Sequence, residues 1–259
     1  MIQKCKHLLF LSLLLFTLGV NAQEENSDQD KNKDDDYRVG KWYFANETEI
    51  IFSTAFIESD SADIENILRW SPVFNYMGRI NYDFTKFLGF DIGLGFRNVG
   101  FIAKFPGSEP DLKKKFRTYN LGLPIGIKIG DLNQENPFFL FAGVELEMPF
   151  HYKEKTFEDG DKNDKITGWF SDRTERFTQS AYAGVQFPNG ISIKFKYYLQ
   201  NFFNKDYTFV KDDIITKPYA DFDAQVFYFS LTIFPFKDSK SYEIEAPQEE
   251  FKTVSTGWY

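Results

Sequence analysis

From residue 40 to residue 236 the chain alternates apolar and polar positions with a period of two, and the alternation restarts after each polar break. Such a period sends the two sets to opposite faces of a β-strand. Phe177 to Leu199 shows the rule most fully. Phe177, Gln179, Ala181, Ala183, Val185 and Phe187 share one parity, against Thr178, Ser180, Tyr182, Gly184 and Gln186. Pro188-Asn189-Gly190 reverses the chain, and Asn-Gly favours the positive φ of tight hairpin turns. Ile191, Ile193, Phe195, Tyr197 and Leu199 then alternate with Ser192, Lys194, Lys196 and Tyr198. Each arm has the roughly ten residues that a tilted strand needs to cross a bilayer.

Six further breaks in the pattern extend this hairpin to eight strands. They run over Thr48 to Ile57, 70–82, 89–105, 116–129, 138–150, the two arms of the hairpin, and 221–236. The 116–129 strand is the clearest, with Tyr119, Leu121, Leu123, Ile125, Ile127 and Ile129 on one face. Pro124 falls inside it and predicts a local kink. A slip at Asn98-Val99-Gly100 predicts a bulge. The polar segments at 58–69, 106–115, 152–172 and 203–220 are long, and those at 83–88, 130–137 and 188–190 are short. Strict long–short alternation in a meander puts all long connections on one rim. The fold class expected is therefore all-β, an eight-stranded antiparallel up-and-down transmembrane β-barrel, with long loops outside the cell and both termini periplasmic.

A soluble lipocalin-type calyx would carry the reverse polarity, apolar inside. Glycine favours the membrane form. Gly93, Gly95, Gly122, Gly126, Gly143 and Gly184 share parity with charged residues, as a crowded polar lumen requires. Arg79, Asp91, Arg97, Lys128, Glu145, Glu147, Lys194 and Asp223 are assigned to that inner face as a lumen charge network. An eight-stranded barrel is just wide enough for side chains to fill it, so these charges are expected to pair. A narrow polar pore is the functional alternative.

Composition agrees. Of 259 residues, 19% are aromatic and 26% charged, which suits one lipid-facing surface on an otherwise wet protein. Lys4 and Lys6, the apolar run Leu8 to Val20 and the small residue Ala22 read as a signal peptide over 1–22. Its removal takes the net charge from −8 to −10 and takes away Cys5, so the mature chain lacks thiol chemistry. An acidic balance excludes nucleic acid as a partner. Residues 23–39 read as a disordered acidic periplasmic leader, 40–236 as the barrel, and 237–259 as a periplasmic C-terminal tail.

The eight-strand meander, with Phe96-Arg97-Asn98-Val99-Gly100-Phe101 and Arg117-Thr118-Tyr119-Asn120-Leu121-Gly122-Leu123-Pro124-Ile125-Gly126, resembles the small outer-membrane β-barrel domain family common in Bacteroidetes. PorT-like proteins belong to that broad group. The resemblance covers residues 40 to 236 and implies fold and outer-membrane location, with no defining catalytic motif. The tail beyond Phe236 departs from the usual ending, an aromatic on the last strand.

Chemistry-bearing candidates are few. His151 is the one histidine of the mature chain. It is expected near Glu147 on strand five, with Ser171 or Ser180 within approach from strand six. Lys153 stands where a compact His-x-Ser pair needs serine, so neither catalytic nor cofactor residues are assigned and the chain is expected not to be an enzyme. Asp159, Asp161 and Asn163 have calcium-loop spacing. Asp164 occupies the glycine position and Phe170 the bidentate glutamate position, so no metal site is assigned. Trp169, Phe170, Phe202, Phe203 and Tyr207 are expected as exposed aromatics in the outer loops, interface anchors with a partner-binding patch as the alternative. The function expected is a structural or interaction role in the envelope by a monomer. Its partners would be outer-membrane lipid, lipopolysaccharide and an envelope protein met through outer loops or tail. The alternatives are a small-solute channel and a lipid-modifying enzyme.

Overall fold

The computed structural model describes residues 39–59, 63–134, 136–188, 190–211 and 213–233. The expected signal peptide, nearly all of the acidic leader, Asn189 of the hairpin turn and the C-terminal tail lie outside the described residues. Thirteen strands follow in order: β1 (Trp42–Ser59), β2 (Glu65–Ile67), β3 (Arg69–Ser71), β4 (Tyr76–Asp83), β5 (Leu88–Phe105), β6 (Leu112–Asp131), β7 (Phe138–Glu158), β8 (Asp161–Trp169), β9 (Thr178–Gln186), β10 (Ile191–Tyr198), β11 (Phe209–Lys211), β12 (Ile214–Thr216) and β13 (Phe222–Ile233).

Eight of them form the ring. The order is β1-β4-β5-β6-β7-β9-β10-β13, and β13 pairs back to β1 through twelve consecutive positions from Thr48↔Ile233 to Ser59↔Phe222. Every pairing in the ring is antiparallel. Closure leaves the ring no unpaired edge. β2, β3 and β8 pair onto β5, β1 and β7, and β11 and β12 make a separate hairpin.

Two connections expected as long loops are strand. β5 and β6 stay paired up to Phe105↔Leu112, so only 106–111 is left as a turn. β7 continues to Glu158 and returns as β8. These stretches escaped the alternation rule because their polarity is inverted. Along β6, odd residues face out and even residues in throughout. Below Tyr119 the outward set is Leu121, Leu123, Ile125, Ile127 and Ile129, and the inward set is Asn120, Gly122, Pro124, Gly126 and Lys128. Above it the outward set is Lys113, Lys115 and Arg117, while Phe116 is buried inside. β5 follows suit, with Phe96 and Leu94 outward below and Phe101 and Ala103 inward above. On β7 a bulge leaves Phe150 unpaired between Asn120↔Pro149 and Tyr119↔His151. One extra residue shifts the parity, so Tyr152 points inward and Lys153 outward.

The expected bulge at Asn98-Val99-Gly100 does not occur, since β5 and β6 keep one register from end to end. The irregularity sits on the other neighbour. Pro72 breaks the expected strand 70–82 into β3 and β4, with Phe74 at φ 64°. Asn75 fills the break. Its side-chain oxygen accepts the Asn98 amide at 2.8 Å, and its nitrogen donates to the Ser71 carbonyl at 2.8 Å. At Pro124, which has no N–H to give, the pairings opposite Gly93 and Leu94 are missing from the β5–β6 register, and it resumes unshifted at Gly95↔Gly122.

Candidate functional site

The interior of the ring is the candidate site, and it has two layers. The first lies toward the short turns and holds the charges. Six acids and five bases are buried there among the described residues: Glu47, Glu49, Asp83, Asp91, Glu145, Glu147, and Arg79, Arg97, Lys128, Lys194, Lys196. Near balance matters, because buried charge must be neutralised locally.

Three groups tile this layer. Nearest the short turns, Lys128 Nζ pairs with Asp83 at 2.7 Å and donates to the Tyr43 hydroxyl at 2.7 Å, and that hydroxyl donates to Asp83 Oδ2 at 2.9 Å. In the middle, Arg79 pairs with Asp91 and, at 2.7 Å, with Glu47. The third and largest is centred on Arg97. Its guanidinium contacts Glu145, Glu49 at 3.3 Å and Glu147 at 3.6 Å. Lys194 neutralises Glu49, while Lys196 bridges Glu147 and, at 2.7 Å, Glu145. Tyr198 and Asn120 donate to Glu147 Oε2 at 2.8 and 2.6 Å.

Small residues make the room. A Cβ on Gly126 would stand 2.6 Å from the Tyr182 hydroxyl and 2.8 Å from Asp91 Oδ2, and one on Gly122 would strike the Arg97–Glu145 pair. The glycines that shared parity with charges are the sites where long side chains cross the lumen.

The second layer lies on the side of the strand extensions and is aromatic. The connection from β10 to β13 folds inward and drives Phe203, 1% exposed, into the mouth. Phe203 stacks on Tyr219 at 4.3 Å and meets Phe116 and Phe202 edge-on at 5.0 Å each. Ile51, Val99, Phe101, Tyr152 and Val226 complete the cluster. A small cavity lined by Val99, Thr118, Asn120, Tyr198, Phe202 and Val226 lies where the layers meet.

Arg79, Asp91, Arg97, Lys128, Glu145, Glu147 and Lys194 are all inside, in mutual contact as described. Asp223 is not. It lies on the outer surface, paired with Lys205 at 2.6 Å and more than half exposed. Its odd number gives it the outward parity of Phe227, Phe229 and Leu231. Glu47 and Glu49 were missed because the adjacent Ile50 and Ile51 blurred the alternation of β1. Ile51 faces inward with them, since it reaches the aromatic layer.

The expected outer anchors divide. Trp169 and Phe170 are 69% and 65% exposed, but Phe202 and Phe203 are buried in the plug, and Tyr207 packs toward Tyr219. Their loop bends into the mouth because the apolar inner wall there offers burial that water does not. His151 faces outward between the Tyr119 and Trp169 rings at 5.5 and 4.7 Å, whereas Glu147 faces the lumen. The bulge at Phe150 separates them. The calcium-like segment forms a hairpin tip and strand. Asp159 accepts the Asp111 amide at 3.0 Å, and Asp161 begins β8.

No family model and no curated protein matches the chain. Among solved structures, the outer membrane protein OprG of Pseudomonas aeruginosa is 10% identical, with 77% of this chain and 99% of that one covered and a TM-score of 0.36. Ail, the attachment invasion locus protein of Yersinia pestis, is 13% identical with 73% and 99% covered and a TM-score of 0.29. Neisserial surface protein A is 12% identical with 74% and 96% covered and a TM-score of 0.30. The barrel assignment rests on the strand ring of this chain itself.

Proposed function

We propose that this chain is an outer-membrane β-barrel with a sealed lumen, acting as a structural and interaction element of the envelope. The observation that carries the reading is the inside-out lower barrel. Leu94, Leu123, Ile127, Leu140, Val144 and Phe229 lie between 43% and 60% exposed on its outside, while the charges fill its inside. A water-soluble monomer does not present so continuous an apolar girdle, and lipid is the solvent that rewards it. On β6 the girdle runs from Tyr119 to Ile129. At roughly 3.3 Å per residue and a tilt of about 40°, it stands roughly 25 Å tall, the height of an outer-membrane apolar band.

In this reading the strand extensions lie outside the cell and both termini are periplasmic. The likeness to the small Bacteroidetes barrels, PorT-like proteins among them, belongs to the same proposal. The partners are outer-membrane lipid, lipopolysaccharide and an envelope protein. The exposed Val210, Ile214 and Ile215 of the β11–β12 hairpin offer that protein an apolar foothold.

A channel needs a continuous water path, and the Arg97 group and the Phe203 plug both stand across it. Planar-bilayer recording of the purified protein should show no steady unitary current. Glu145→Gln and Glu147→Gln should leave it silent. Stable openings in the wild type would replace the sealed barrel with a pore.

The barrel is proposed to be non-enzymatic. Wild type and His151→Ala should release fatty acid from phospholipid vesicles at the same background rate. A rate lost on substitution would revive the lipid-modifying alternative.

A further inference from the structure

The inverted polarity of the strand extensions leaves one surface unexplained. Lys115 and Arg117 on β6, Lys153 and Lys155 on β7 and Lys165 on β8 share the outward face of three adjacent strands. Their register sets like against like: Lys115↔Lys155, Arg117↔Lys153 and Lys155↔Lys165. Directly opposed like charges destabilise a sheet. None of the five forms an ion pair among the described residues. The neighbouring acids do not answer them. Glu154 points inward, where it takes the Tyr152 hydroxyl at 2.9 Å and Lys114 at 3.3 Å, and Asp164 falls on the other face opposite Thr156. At the edge of the group, Asp111 is engaged by Lys104 at 3.7 Å. Burial, and then the neighbouring cations, hold Lys115, Lys153 and Lys155 below the usual lysine range.

Five crowded cations in a chain of net charge −8 are a frustrated arrangement that an external anion would relieve. Their position identifies the anion. Along their strands Arg117 and Lys153 stand two residues above the aromatic shelf of Tyr119, Phe150, His151 and Trp169, and Lys115, Lys155 and Lys165 stand four above it. Within the shelf Phe150 and Trp169 stack at 5.9 Å. That shelf tops the apolar girdle, so the cations face sideways at headgroup level and not up into solvent. Phe157 lies among them, with the Lys115 ammonium 4.8 Å from its ring centre.

We infer that this ridge binds the phosphorylated sugar headgroup of an outer-leaflet glycolipid, a bisphosphorylated lipid A, with its acyl chains against the aromatic shelf. The inference rests on the membrane reading above. Three strands of cations suit two separated phosphates better than the single phosphate of a glycerophospholipid, and basic residues at a membrane surface attract anionic lipid additively.

The test uses the full mature chain folded in phosphatidylcholine vesicles. Insertion is scored first, by resistance of the barrel to protease. Binding is then measured with bisphosphorylated lipid A, with its monophosphorylated form and with inositol hexakisphosphate. The first should bind best. The quadruple variant Lys115→Gln, Arg117→Gln, Lys153→Gln, Lys155→Gln should insert normally yet bind it roughly tenfold or more weakly. The triple variant Lys115→Arg, Lys153→Arg, Lys155→Arg should insert and retain binding. Equal binding by the inserted wild type and quadruple variant overturns the site and leaves the membrane reading intact. Equal or stronger binding of the inositol phosphate assigns the ridge to a water-borne polyanion and overturns the lipid. A wild type that does not insert removes the membrane reading, and the inference with it.

Discussion

Replacing Arg97 with Met should destabilise the barrel by about 3–5 kcal/mol, the largest loss expected for a single charged residue here. Arg97 is 2% exposed and contacts three carboxylates, those of Glu49, Glu145 and Glu147. Met nearly matches its length but brings no donor. Lys194 and Lys196 would remain, two ammonium groups against three carboxylates in a space closed to bulk water. The penalty is the desolvation of a charge left without its partner, which exceeds the modest net worth of a matched pair. Asp223→Asn is the contrast. Its bridge to Lys205 is surface-exposed, so its removal should shift stability by less than about 0.5 kcal/mol. Urea unfolding of vesicle-folded protein, followed by tryptophan fluorescence, compares the two. A loss below about 1 kcal/mol at Arg97 would mean that water reaches the network and that the lumen is not sealed.

Phe203→Ala should cost about 3–5 kcal/mol and act on a different layer. The ring is held by Tyr219, Phe116, Phe202 and Phe222 at 4.3 to 5.2 Å. The β10–β13 connection enters the mouth through this side chain and its neighbours. Its loss should release that connection locally, with faster tryptic cleavage at the exposed Lys205 and Lys217. Conductance should stay silent, because the Arg97 group still closes the lumen below. Unchanged cleavage and stability would show that the loop is held by other contacts, such as Arg173 donating to Tyr219 at 2.9 Å.

The period-two signal carried most of the lower barrel. The lower part of β6 and most of β9 and β10 read cleanly because their outward residues are nearly all apolar and their inward ones are mostly polar, charged or glycine. From that contrast seven lumen charges could be placed on the correct face. The signal weakened wherever one surface met two environments. On β1, Ile51 faces inward like Glu47 and Glu49 but belongs to the aromatic layer, so parity and hydrophobicity disagree within five residues. In the extensions Lys113, Lys115 and Arg117 lie on the outer face and Phe116 faces the core. That is a soluble strand's pattern, and it reads as a polar loop when apolar-outward is the template. Asp223 was within reach of parity alone. The inward turn of Phe202 and Phe203 was not, because no local pattern tells a loop aromatic that meets solvent from one that finds a cavity.

In the membrane setting proposed for this barrel, the switch of polarity at Tyr119 also fixes how deep the molecule would sit. Moving the barrel inward by one pair of residues, roughly 6–7 Å along a strand, would carry Arg117 and Lys153 down to the level of the aromatic shelf. A cation on the lipid face costs about 0–1 kcal/mol near the interface and about 2–4 kcal/mol at the midplane, so the resistance stiffens as immersion grows. Moving outward would strip lipid from the ring below. In that setting a bilayer thinner or thicker than the girdle would have to deform around the protein, which would make this barrel a local ruler of hydrocarbon thickness.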